Sequence, residues 1–209
     1  LGTQKLAAVI LEFASAAKFQ KEKILDKKIA LPLGIIAGVG SFFGSNLAIS
    51  INETHINGVI AVLLSIIFIL FLNKDRIGFK KEHLTRKHYI LLGMITFFLG
   101  IWGGIFSGGF GTFVTMIIVL FGFSFIESAA IGRVIGFFMS AIGFIIFAQH
   151  QLINYSYGLS LGIGFAIGGW IGIHISLKKG EKYIKNLLSI IILVTIVQLL
   201  LRFFHIKLF

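Results

Sequence analysis

Between its charged clusters this chain carries uncharged runs at 29–52, 54–73, 88–126, 134–177 and 186–201. The first four are long enough to ask for a lipid rather than a water environment, since a spanning helix needs about 20 mostly apolar residues, and the last, NLLSIIILVTIVQLLL, is read as the final span. The run from 134 to 177 is too long for one helix. The segment QHQLINYS is its turn, so it makes two spans. The opening segment, LGTQKLAAVILEFASAA, is interrupted by Lys5 and Glu12 and reads as a helix facing protein rather than lipid.

Composition agrees. Hydrophobic residues make up 57% of the 209 and charged residues 13%, against about 45–50% and 25% in soluble domains. There is no cysteine, which removes thiolate metal sites. Twenty-three phenylalanines and one proline point to helices rather than a barrel. The net charge of +11 does not indicate nucleic acid, because the basic residues sit in short clusters between apolar runs. That is the pattern left by the preference of lysine and arginine for cytoplasmic loops.

The run 88–126 is the informative one. As one rod it would reach nearly 60 Å at about 1.5 Å per residue, twice the hydrocarbon thickness. Its middle, GIWGGIFSGGFGTF, holds six glycines, each unfavourable in a helix by about 1 kcal/mol relative to alanine. A re-entrant pair is expected: out along 89–106, a bend at 107–111, back along 112–122. If this stretch returns to its own side, lysine and arginine divide 15 to 2 across the membrane; if it crosses, 13 to 4. The returning path suits the positive-inside preference better.

A shift of 128 residues aligns the two ends of the chain without a gap. LPLGIIAGVGSFFG (31–44) falls on LSLGIGFAIGGWIG (159–172), Asp26 on Asn154, Glu53 on Glu181, and Lys5 on Arg133. With the hairpin returning, each repeat crosses an odd number of times, so the repeats are expected to be inverted, as in many secondary transporters. The division is 1–75 for a first repeat, 76–87 for a basic cytoplasmic loop and 88–209 for a second repeat. The hairpin at 88–126 has no counterpart in the first repeat, so the arithmetic also expects about forty residues upstream of residue 1.

GIWGGIFSGGFGTFVTMIIVLFGFSFIESAAIGRVIGF and LINYSYGLSLGIGFAIGGWIGIHISLKKGEKYIKNLL resemble the TauE/SafE family of sulfite and organosulfonate exporters. LGTQKLAAV and ILDKKIALPLGIIAGVGSFFGSNLA are similar to the signatures of that family's first half. The resemblance implies movement of small, often sulfur-containing anions across the cytoplasmic (inner) membrane of a prokaryote. Ile131 stands where the family commonly has a threonine, opposite Thr3.

The overall expectation is an all-α, polytopic membrane bundle of two inverted repeats with a broken glycine-rich helix pair, lying in lipid and open to homo-oligomers. Charged side chains within spans usually face the bundle interior or a water-filled path. Lys5 and Arg133 therefore either hold an anion between the repeats or snorkel to the interface. The bend and the turn after it, Ser107, Gly108, Gly109, Gly111 and Thr112, can present free N–H groups at a helix N-terminus, which favours anions. Thr3 adds a hydroxyl. Glu12, seven residues after Lys5 and on the same face, is either a proton carrier or an internal charge partner. No histidine spacing supports a metal site, and no cofactor is expected. An intramembrane enzyme would need a nucleophile–base or metal constellation that these residues do not form. A channel or purely structural subunit would need neither paired cations nor a repeat.

Overall fold

The computed structural model describes residues 1–50, 84–106 and 110–180, with Tyr183, Asn186, Leu187, Ile190 and Val194 beyond them. The expected span at 54–73, most of that at 186–201, the loop counterpart pair Glu53 and Glu181, and the bend residues Ser107, Gly108 and Gly109 lie outside the described residues. Six helices are described: α1 Gly2–Lys21, α2 Lys27–Ala48, α3 Arg86–Ile105, α4 Phe110–Leu120, α5 Phe125–Gln149 and α6 Tyr155–Lys179. No strand occurs among the described residues. Four of the helices, α2, α3, α5 and α6, are long and apolar enough to cross a membrane.

The starts of these helices follow from local chemistry. Asp26 accepts a hydrogen bond from the Lys28 N–H at the head of α2, and Asn154 accepts from the Tyr157 N–H at the head of α6. These caps stand at positions related by the 128-residue shift. Side-chain oxygens at such positions satisfy N–H groups that have no partner within the helix. Ser124 and Glu127 close a reciprocal capping box on α5, so Glu127 is a helix-start residue.

Glycine contacts fix the directions of the helices. From N- to C-terminus of α2, Gly34 meets Phe138, Gly38 meets Ile142, and Ser45 lies by Gly143, so α2 and α5 are parallel. Gly40 meets Phe97, and Gly44 meets Ile101 of α3, so α2 and α3 are parallel too. At Gly40, Gly44, Gly100 and Gly104 a Cβ would collide with the facing backbone; only glycine lets these helices approach so closely. By contrast, a Cβ at Gly164, Gly168 or Gly172 would meet nothing within 4 Å among the described residues.

Since α3 and α5 both run parallel to α2, the chain between them must return to the side from which it set out. It does so through α4. Phe110 packs beside Gly103, which also meets Met139, while Val114 and Thr115 pack on Gly132. As α4 advances, its contacts move backwards along α5. The eleven residues of α4 span about 16 Å, half of a hydrocarbon core. The break is also at depth, because α5 continues from Met139 to Gln149, about 15 Å further. This is the broken, re-entrant pair, with its second helix at 110–120 rather than 112–122.

Helix α1 runs antiparallel to α5, with Gly2 beside Phe147 and Glu12 beside Gly136, and parallel to α6, with Leu6 on Gly158 and Ile10 on Gly162. Helices superposed by the 128-residue shift, α1 with α5 and α2 with α6, therefore point in opposite directions. Their contacts correspond as well: Gly34 is filled by Phe138 and Gly162 by Ile10, one pair being the other moved by the shift. The core lies around α4 and α5, with Phe110, Val114, Ile118, Ile131, Ile135 and Met139 all buried.

Candidate functional site

Helix α3, rich in glycine over its last turns, ends at Ile105, and Phe106 turns extended at φ −140°, ψ 126°. The last carbonyls of a helix have no donor within it. Here two side chains supply donors: Lys5 Nζ donates to the Gly103 carbonyl, and Ser45 Oγ donates to the Gly104 carbonyl at 3.4 Å. Lys5 is completely buried, and its stem lies against Gly143, where a Cβ would come within 3.1 Å of Lys5 Cδ. A cation at a helix C-terminus also meets the negative end of the macrodipole.

Arg133 stands in a different setting. Its Nη1 donates to both oxygens of Glu12, at 3.3 Å to Oε1 and 3.2 Å to Oε2. The Glu12 side chain is 12% exposed and that of Arg133 32%. Gly136 makes the approach of α1 possible: a Cβ there would stand 2.9 Å from the Glu12 carboxyl carbon. Gly143 and Arg133 are ten residues apart along α5, about 15 Å of helix. Lys5 and Arg133 thus do not converge on one point, and Glu12 pairs with Arg133 rather than with Lys5 of its own helix.

The pair faces a cavity of ≈ 660 Å³ lined by α1, α4, α5 and α6 and by Tyr183 and Leu187 beyond them. Its polar lining includes Gln4, Glu12, Gly111, Thr112, Thr115 and Arg133, with Phe19, Phe110 and Phe165 among the apolar walls. Among the described residues, a Cβ at Gly111 would meet nothing within 4 Å. The first turn of α4 carries backbone N–H groups without partners inside the helix. The structure therefore brings Gly111, Thr112, Glu12 and Arg133 to one cavity. It places Lys5 outside the lining, and Thr3 at the end of α1, where its Oγ1 accepts from the Asn154 N–H at 3.0 Å.

Gln4, Thr115 and Gly136 join the site although nothing singled them out in the sequence. Gly136 carries a legible signal, since it lies one turn after Arg133 on the same face and glycine there marks a close approach. Gln4 and Thr115 carry none; only the fold turns them inward. No group of three or more metal-ligating side chains occurs among the described residues.

Apolar spans around a broken helix and a cavity lined by charged side chains define a multi-pass helical membrane protein with a solute-sized cavity. Comparison with known proteins narrows the class. The family model described as Sulfite exporter TauE/SafE matches residues 1–199, and the chain belongs to this family. It is similar to "Probable membrane transporter protein ORF9" of Sinorhizobium sp, 24% identical over 201 residues, covering 96% of this chain and 77% of that one. It is also similar to a "Probable membrane transporter protein" of Haemophilus influenzae, 26% identical over 192 residues, covering 91% and 75%. No solved structure matches it. The protein is a membrane transporter, not an enzyme.

Proposed function

We propose that this transporter moves small anions, with sulfite and sulfonates as the chemical class, across the cytoplasmic membrane. The anion rests between the Arg133 guanidinium and the first turn of α4. The observation that carries this reading is the shared cavity: Arg133, Thr112 and Gly111 line the same space. Guanidinium is permanently charged and matches the oxygens of a sulfonate or sulfite in a planar fork. A helix N-terminus adds N–H donors and a positive dipole end. The opposed directions of the shift-related helices support a frame of two inverted repeats with the site between them, the arrangement used by many alternating-access carriers. Lys5 and Ser45 then serve the site indirectly, by holding the end of α3 from which the bend departs.

The test is flux into proteoliposomes containing the full chain, measured for sulfite, methanesulfonate and acetate with inert vesicles as the baseline. Arg133→Gln should remove sulfonate flux while Arg133→Lys retains part of it, since lysine keeps the charge and loses the fork. Unaltered sulfonate flux in Arg133→Gln would overturn the assignment.

A further inference from the structure

We infer that Glu12 and the transported anion exchange places on Arg133, and that Glu12 takes up a proton as it is displaced, so that anion and proton travel together as a neutral pair. This rests on the proposal of an anion site at Arg133.

The geometry of the pair is that of a contact made to be exchanged. One nitrogen, Nη1, serves both carboxylate oxygens at 3.2 and 3.3 Å, longer than the roughly 2.7–2.9 Å of a strong charge-assisted bond. The fork–fork contact that would use two nitrogens is not made. No other hydrogen bond of the guanidinium occurs among the described residues, and about a third of the side chain is exposed. Glu12 is the more enclosed partner and sits against Gly136. An anion entering the cavity thus finds the open side of the guanidinium, with the carboxylate behind it.

Charge balance sets the fate of Glu12. Without substrate, Arg133 and Glu12 together are neutral. An anion bound to Arg133 with Glu12 still ionised would leave one net negative charge at membrane depth, where unpaired charge is expensive. A carboxylate left in a packed interior without its cation is neutralised rather than carried as charge. Glu12 loses its hydrogen bonds from Nη1, and one of its oxygens forms an O–H bond with a proton delivered by hydronium from the solution on the side the anion enters, leaving water and no hydroxide in the cavity. Arg133 keeps all its protons. The loaded site is again neutral, as the empty one is.

Besides Glu12 and Arg133, the titratable side chain lining the cavity among the described residues is Tyr183, a phenol that is neutral near pH 7 and gains no charge by taking up a proton. On α5, Arg133 faces Glu12, while Glu127 caps the helix start and His150 lies beyond its end. Helix α4 has no titratable side chain. Helix α6 turns Gly168, Gly169 and Gly172 to the cavity, and carries Tyr155, Tyr157, His174, Lys178 and Lys179 toward its ends. On α1 itself, Lys5 binds the Gly103 carbonyl and Lys18 binds Glu22.

Methanesulfonate is the probe, because it stays ionised throughout the working pH range and every proton that moves then belongs to the protein. In proteoliposomes with a trapped pH dye, each sulfonate should enter with one proton in the wild type. Glu12→Gln should carry sulfonate without a proton, and its flux should become sensitive to membrane voltage. In detergent, wild-type sulfonate affinity should fall about tenfold per pH unit where the empty site is ionised, one proton being bound per anion. The affinity of Glu12→Gln should not vary with pH, and this reading needs no vesicle insertion. Sulfonate entry without protons in the wild type, or an unchanged proton count in Glu12→Gln, overturns the exchange and leaves the anion site standing. Absence of sulfonate flux and binding in the wild type overturns the anion site and the exchange together.

Discussion

Lys5 and Arg133 occupy equivalent positions under the 128-residue shift, yet their surroundings share almost nothing. Lys5 is sealed in, neutralised by no carboxylate among the described residues, and spent on the carbonyl end of a broken helix. Arg133 is partly open, ion-paired across helices, and faces a cavity. The shift accounts for part of the contrast. The position equivalent to Glu12 in the second half is Ser140, so the partner that Arg133 finds on α1 has no ionised counterpart for Lys5 on α5. A repeated position therefore sets where a cation enters the bundle, and the facing helix sets whether it supports the backbone or receives a ligand.

The difference can be broken most forcefully at Arg133. Arg133→Gln strands the Glu12 carboxylate, and sulfonate flux at low substrate should fall by roughly 30-fold or more, since losing one partner of a charge pair costs about 2 kcal/mol or above. Thermal stability should be restored when Glu12→Gln is added, with a coupling between the two sites of about 0.5–3 kcal/mol by double-mutant cycle; strict additivity would show that the pair seen here is not formed.

At the other cation the prediction is of a different kind. Lys5→Met leaves the Gly103 carbonyl without its donor, and an unsatisfied buried acceptor is worth about 1–3 kcal/mol. Thermal unfolding in detergent should shift accordingly, while the sulfonate binding constant of the folded fraction stays near that of the wild type. A large loss of affinity with unaltered stability would make Lys5 a ligand after all. The helix caps at Asp26 and Asn154 give a smaller comparison, each losing about 1 kcal/mol on replacement by alanine, equally if the two halves are built alike. Smallest of all, Lys5→Met and Arg133→Gln should be additive in stability to within about 0.5 kcal/mol, as expected for sites that share no partner.

The uncharged runs, the six glycines in the middle of one of them and the 128-residue shift already contain the described spans, the break and the opposed directions of the helices that the shift relates. These are properties of chain length, apolar composition and local backbone preference, and they do not depend on which helices become neighbours. The candidate site was legible only in part. Gly111, Thr112, Glu12 and Arg133 each stood out as a charge or a break in an apolar stretch, but nothing in the sequence says that Glu12 belongs to Arg133, 121 residues away, rather than to Lys5 one helical face along. Spacing within a helix suggested the wrong neighbour, because a long side chain answers to the helix packed against it.

What the amino-acid order determined alone is that this chain crosses a membrane several times and breaks a helix at its glycine-rich stretch: burying backbone in lipid permits only helices, and clustered glycines decide where a helix ends. Only the tertiary structure decided which cation faces the cavity. That choice depends on Gly136 and Gly143 letting α1 approach α5 closely enough for one charged side chain to meet a carboxylate and the other a carbonyl.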